Sequence, residues 1–477
     1  MRVLRENYIF FLVTLVFLLV AGGPLQAQSE YRALWFDTWN PGILDEASAR
    51  LAVERARTHN FNTLFIEASK TMDAYYQSDL LPRGTNLTAP GFDPLGTVLN
   101  LAHSSHTKVR PLEVHAWVVA MRAWKNQPFP PKSGKPLHVV HQHPEWLSKT
   151  YQGKLQDQEQ NHFLDPGHPE VQEFLVSICK EIVKKYPVDG LHLDYIRYPG
   201  AEWGYNPVSL ERFRKETGRT GLPSPKDEQW SAWRREQVTQ VVKRISAEIH
   251  SLRPHIKLSV ASITWGGVPE KDFKKTRAYA EALQDWVEWV RAGYVDINVP
   301  MNYKRANNSI QAQDFVDWVT LARATNTDRH LIVGLGAWMN PLDATARQVA
   351  ASKRMRSDGV AFFSYNQLES SGRSQAPVIR DISGKIFKSP ASVPQPAWLR
   401  KAKEGIVAGT DPRRRSGYPV LLLDSRKREV ARTKTDGNGH FSFFRVPSGQ
   451  YIAQVGLASI LSEPIKVHPG KVHRARF

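Results

Sequence analysis

The stretch VDGLHLDYIRYPG, residues 188–200, runs from apolar, strand-like residues into an aspartate, two tyrosines and an arginine. Side chains alternate faces along a strand, so Leu191 and Leu193 point one way while Gly190, His192 and Asp194 point the other. The leucines need an apolar cover of helices. The opposite face must then look into a closed sheet. Asp194 is the last strand residue, with Tyr195, Arg197 and Tyr198 in the loop beyond it. In a (β/α)8 barrel the carboxyl ends of the strands carry the active site, so this run delivers a charged cluster to the mouth.

Working outward, similar short apolar runs alternate with helical patterns, as in a parallel sheet covered by helices. Strands are expected at Arg32–Asp37, Asn62–Glu67, Val109–Trp117, Asp189–Asp194, Ile256–Ile263, Val295–Met301, His330–Leu335 and Gly359–Ser364. That number suits an α/β (β/α)8 TIM barrel over residues 30–387. EASARLAVERARTH, PEVQEFLVSICKEIVKKY, WRREQVTQVVKRISAEIHSL and AYAEALQDWVEWVRAG supply apolar residues at helical spacing between strands. An insertion rich in Pro, His and Gln, Lys125–Asn161, follows the third strand and should lie over the active face. Residues 388–403 read as a Pro-rich linker. From 404 to 477 the period changes to short alternating strands with Asp-Gly, Asn-Gly and Ser-Gly turns, the pattern of a small all-β sandwich.

Arg2 and Arg5 precede the apolar run Ile9–Val20, and AGGPLQAQS follows. This is the layout of a secretory leader over residues 1–27, too short to span a membrane, and implies an exported, periplasmic or secreted protein. Cys179 is the only cysteine, set in a helical apolar pattern, which rules out an intramolecular disulfide. The net charge of +18 would attract anionic polymers. Export and the lack of arginine-rich stretches interleaved with aromatics argue against nucleic acid.

The same alternation collects carboxylates at one rim. Asp37 closes the first strand and Glu67 the second, with Asp73 just beyond. Glu113 shares an inward face with His115 and Trp117 but lies deeper, where a hydrogen-bonded structural role is expected, and Asp296 should lie near the bottom. Paired carboxylates beside aromatics are what glycosidic bond cleavage needs: one acid protonates the leaving oxygen while the other attacks or activates water. Trp35, Trp117, Trp265, Tyr303, Trp338 and Tyr365 would stack on sugar rings, and Arg122 and Arg197 would hold hydroxyls or a carboxylate. No cofactor is implied. His138, His141 and His143 lack the spacing of a zinc-enzyme helix, the Gly-x-Ser-x-Gly elbow is missing, and the GLG at 334–336 is no dinucleotide fingerprint.

The stretches RALWFDTWNPG, FNTLFIEASKTMDAYYQS, LEVHAWVVAMRAW, LDPGHPEVQEF, VDGLHLDYIRYPGAEWGYNP, ITWGG, VPMNYKR and GVAFFSYN together resemble the glycosyl hydrolase-like family 10, barrels of the bacterial envelope. The tail, with TDGNGHFSF and VPSGQY, resembles carboxypeptidase regulatory-like β-sandwich domains. The first resemblance implies a polysaccharide substrate, including peptide-free peptidoglycan glycan strands. It places family positions on Asp194, Asp73, His115, Trp117, Arg122, Asn302, Tyr303 and Lys304. Where the family usually has Gln-Val-Arg and Arg-Gly-Asp, this chain has Glu67-Ala68-Ser69 and Thr71-Met72-Asp73. The expected catalytic set is Asp194, as nucleophile or base kept ionised by Arg197, with Asp73 or Glu67 as proton donor. Asp37, His192 and Tyr195 would contact substrate. The alternatives are a catalytically silent carbohydrate-binding, wall-associated protein and a metal-dependent hydrolase using the histidine-rich loop.

Overall fold

The computed structural model describes residues 29–104, 110–126, 128–326, 328–456 and 460–477. The expected leader, and Val109 at the head of the expected third strand, lie outside them.

Eight parallel strands close into a barrel: β1 (Tyr31–Phe36), β2 (Thr63–Ser69), β3 (Glu113–Val119), β4 (Gly190–Asp194), β5 (Lys257–Ser262), β6 (Ile297–Pro300), β7 (His330–Gly336) and β8 (Gly359–Phe363). Leu34, Leu64, Val114, Leu191, Leu193, Val260, Val333 and Phe362 meet the surrounding helices in one apolar layer. The inward faces form a second, separate core of Tyr31, Ala33, Trp35, Phe65, Trp117, Ile297, Val299, Ile332 and Ala361. Cys179 is buried on the helix Pro169–Lys185. The pattern at 278–293 is not one helix: Leu283 takes a left-handed φ of 53°, leaving Arg277–Ala280 and an Asp285-capped Trp286–Arg291.

The bottom of the barrel is polar and held by a network of ion pairs and hydrogen bonds. Lys257 Nζ donates to both Glu113 oxygens (2.6 and 2.8 Å), and Tyr31 Oη meets His330 Nδ1 at 3.0 Å. Asp296 accepts from the Trp398 indole at 2.6 Å. Burial opposes the Glu113 charge, but hydrogen bonds from His115 and Lys257 hold its pKa below the ordinary value. In mid-barrel, His192 stacks on Phe65 with centroids 4.3 Å apart. Its Nε2 accepts the Trp35 indole N–H at 3.1 Å, so Nδ1 carries the proton and faces Ser259 Oγ at 2.9 Å. Burial drives the His192 pKa well down and keeps the ring neutral. Gly190 is required beside this layer, because a Cβ there would stand 2.5 Å from the His115 ring.

The segment 388–403 is not a free linker. Ser389 O accepts from Arg32, Ala391 O from Asn62 and Arg110, Ser392 O from Glu30 N, and Pro394 O from Tyr31. Val393 packs against the inner core, so the segment caps the bottom of the barrel. Beyond it lie β9 (Glu404–Thr410), β10 (Pro419–Asp424), β11 (Glu429–Lys434), β12 (His440–Pro447), β13 (Gly449–Val455), β14 (Ile460–Leu461), β15 (Ile465–Val467) and β16 (Val472–Arg474). They form two sheets, ordered β12-β9-β16 and β11-β10-β13-β14, with β15 also on β13. The sheets enclose Val407, Val420, Leu422, Phe441, Phe443 and Ala453. This sandwich is fastened to the barrel helices through Arg244 with Asp436, Arg474 with Glu248, and Arg445 with Asp328.

Arg234 secures the long loop after β4. It is fully buried in the helix Glu228–Leu252, donates to Ala201 O at 2.6 Å and to Trp203 O, and lies over Trp230. Burial pushes its pKa down to about 10. Arg234→Ala should lower unfolding stability by about 3 kcal/mol, because several buried carbonyls lose their donor at once. A urea titration checks this, and a loss under about 1 kcal/mol would show that the loop holds without it.

Candidate active site

The mouth is built from the ends of the eight barrel strands and the loops that follow them. Glu67 is wholly buried. Its Oε2 accepts both the backbone N–H and the hydroxyl of Thr38, each at 2.7 Å, while Oε1 has no partner. Burial pushes the Glu67 pKa from an ordinary 4.5 up to about 7; the Thr38 bonds and Arg122 pull it down, and Asp37 adds to the rise. Asp37 accepts from Asn40 (2.8 Å) and Ser364 (3.0 Å), which fixes it as a neighbouring acceptor.

Asp194 stands two strands from Glu67, two residues above the level where Trp117 pairs with Glu67 and His192. It is 6% exposed, and its Oδ1 accepts from Tyr195 N at 2.7 Å. Tyr195 takes a left-handed φ of 49° to close that turn. Arg197 was expected to keep Asp194 ionised, but burial outweighs it: the pKa moves up despite Arg197, the Tyr195 N–H, Arg122 and Trp117.

Buried polar atoms without partners stand around these two acids: Glu67 Oε1, Arg122 Nε, Arg197 Nε and Tyr303 Oη, while the Trp117 side chain hydrogen-bonds toward Asp194. Buried polar groups are usually paired, so a group of unpaired ones at a barrel mouth is a candidate position for a polar ligand or water. Around it, Tyr303 contacts Trp338 and Phe363 with centroids 5.0 and 5.7 Å apart. Cations and rings alternate across the rim. Arg122 lies 5.3 Å from Trp39 and 4.5 Å from Tyr195, and Arg197 lies 4.4 Å from Tyr195 and 4.8 Å from Trp265. Lys70 lies 4.6 Å from Trp39. Such contacts attract each cation to a ring face.

Asp73 lies at the edge of this group: its Oδ2 stands 4.0 Å from Lys70 Nζ and accepts from Tyr75 Oη at 3.4 Å. It accepts from Thr71 N at 2.9 Å and lines a cavity of about 140 Å³ with Arg83, Trp124, Pro130 and His138, roofed by the insertion. Met72 beside it holds φ at 58°, the left-handed conformation natural to the glycine expected there, and buries its side chain in the barrel–helix layer.

Several expected contacts are corrected. Trp35, His115 and His192 fill the inner core beneath the mouth. Tyr365 leaves the strand alternation after Ser364, stacks on Phe36 at 4.6 Å and accepts from Arg55. Asn302 donates to Phe315 O, and Lys304 donates to Thr264 O and Gly266 O, so both brace loops. The three histidines do not converge. His138 meets Thr71 O and His141 meets Pro130 O, while His143 stacks on Trp146. Among the described residues, no group of three or more His, Cys, Asp or Glu could hold a metal ion. Sequence reasoning missed Thr38, Trp39, Lys70 and Phe363. Phe363 was within reach, since the alternation through Gly359 and Ala361 places it inward.

A family model for glycosyl hydrolase-like 10 matches residues 30–346. Glycosyl hydrolase YngK of Bacillus subtilis (strain 168) is 25% identical over 437 residues, 84% of this chain and 81% of the relative. Glycosyl hydrolase DigH of Escherichia coli (strain K12) is 29% identical over 296 residues, 57% of this chain and 62% of the relative. Among solved structures, the PgaB (BpsB) glycoside hydrolase domain from Bordetella bronchiseptica superposes with a TM-score of 0.53 at 15% identity, covering 74% of this chain and 99% of that domain, a likeness of fold. With a match that takes in every barrel strand but β8, the chain belongs to the glycosyl hydrolase-like 10 family.

Proposed function

We propose that this chain is a glycoside hydrolase acting outside the cytoplasm on an anionic polysaccharide, with peptide-free peptidoglycan glycan strands as the first candidate. The observation that carries the reading is the cluster of partnerless polar atoms around Asp194 and Glu67. Glu67, protonated up to about pH 7, is the proton donor. Asp194 is the base or nucleophile. Arg122 and Arg197 bind carboxylates or hydroxyls, while Tyr195, Trp265, Tyr303 and Trp338 provide faces for sugar rings. The leader layout at the amino terminus supports export.

Glu67 tips toward Thr38 on the β1 side, and Asp194 stands beyond β3. Two strand spacings and a two-residue rise separate their backbones by about 12 Å. That favours the wide carboxyl separation of inverting enzymes over the roughly 5 Å of retaining ones. Incubation with denuded glycan strands should therefore release new reducing ends, with the first anomer seen by NMR inverted. Retention would remove Glu67 from the donor role. The complete burial of Glu67 favours the second reading, a silent glycan-binding barrel, which requires binding without product at any protein concentration.

A further inference from the structure

The chain's positive charge is concentrated away from the mouth. Residues 388–477 hold seventeen Lys and Arg against six Asp and Glu, a net eleven of the overall +18. Two turns of the sandwich present it in the same way. In DPRRR (411–415), Asp411 accepts from Arg413 N (3.3 Å) and Arg415 N (2.9 Å) and pairs with the Arg415 guanidinium at 2.7 Å. In DSRKR (424–428), Asp424 accepts from Arg426 N and Arg428 N (both 2.9 Å) and pairs with the Arg428 guanidinium at 2.8 Å. The fourth residue of each turn, Arg414 or Lys427, is left-handed at φ 50° and 60°. Each aspartate thus neutralises the last arginine and leaves the two cations before it, Arg413 and Arg414 or Arg426 and Lys427, exposed.

The two turns sit at opposite ends of β10, about 20 Å apart at the rise of a strand, and the edge strand β11 joins them. Lys434 pairs with Pro419, and Thr435 Oγ1 donates to Arg415 O at 2.6 Å, which brings that end of β11 to the first turn. Thr433 faces the barrel, accepting from Lys243 at 2.7 Å, so Arg432 and Lys434 on the alternate face turn outward. Glu429 holds Arg432. The only large apolar side chain exposed along this stripe is Val430, which offers little to insert into a membrane.

We propose that this stripe is a docking surface for an extended polyanionic polysaccharide, independent of any hydrolysis in the barrel. The competing explanation is that lysines and arginines merely guard an exposed sheet edge against pairing. Charge reversal separates the two, because glutamates guard an edge equally well. The experiment is co-sedimentation of the full chain with polygalacturonate gel at low salt, using chitin and phosphatidylglycerol vesicles as separate arms.

The variant R413E/R414E/R426E/K427E should bind the gel on the order of 100-fold more weakly while melting at the parental temperature. The variant K184E/R347E/R354E/R380E, with the same charge change on the barrel, should lose less than about threefold. Unchanged binding by the first variant, or equal losses in both, overturns the proposal. So does equal capture by neutral chitin. Preferential capture by vesicles overturns it in favour of a membrane partner.

Discussion

Asp194→Asn should reduce turnover of glycan strands by roughly 10³-fold or more, within the range that a positioned acid or base supplies. The substitution keeps shape and removes only the charge. The amide oxygen of the introduced asparagine can still accept from Tyr195 N, a hydrogen bond that fixes Asp194. Burial already opposes ionisation there, so the neutral amide should leave unfolding stability within about 1 kcal/mol of the parent. Glycan affinity should fall little, since the rim rings and cations proposed to hold sugars are untouched. Reducing-end assays, a thermal melt and sedimentation with substrate separate these effects. Activity within about tenfold of the parent would take Asp194 out of the reaction.

Glu67→Gln carries the second large effect, and it moves two observables in opposite directions. As proton donor, Glu67 must be protonated, so parental activity should fall as pH rises through about 7. The variant should lose on the order of 10²- to 10⁴-fold and show no such descending limb. Stability runs the other way. The folded pKa lies above the unfolded one, so the parent keeps its full stability below about 4.5 and loses it as pH rises toward and through about 7. Glutamine cannot ionise and escapes that loss. At about pH 8 the variant should be more stable than the parent by about 3 kcal/mol, and at about pH 4 nearly equal to it. A parental pH profile flat from about 6 to 9, or equal melting temperatures at about pH 8, would show that Glu67 stays charged in the fold and donates no proton.

The barrel was legible because the strand alternation is strict. In β4 the leucines and the His-Gly-Asp face separate cleanly, and the same rule places Asp37, Glu67 and Trp117 inward. The rule says nothing of depth, which is why Trp35, His115 and His192 read as mouth residues. A barrel interior is a packed core several layers thick, and only the top layer meets substrate. It also fails once a strand ends. Tyr365 turns outward past Ser364, and Asp73 sits in its own loop beside Lys70 and Tyr75, because side-chain direction in loops depends on turn geometry that spacing does not encode. The upward shift of Asp194 was hidden for another reason: Arg197 is visible in sequence as a neighbour, whereas desolvation is a property of the assembled mouth.

The stretch 388–403 gives the molecule a mechanical constraint. Its carbonyls serve as the floorboards of the barrel, satisfying Arg32, Asn62, Arg110 and Tyr31, and Trp398 latches onto Asp296. The sandwich is therefore no pendant on a tether, and cutting the chain just after residue 387 would pull up the floor along with the appendage. Any minimal barrel fragment has to keep that whole stretch, and the stripe on the sandwich is carried by the barrel itself.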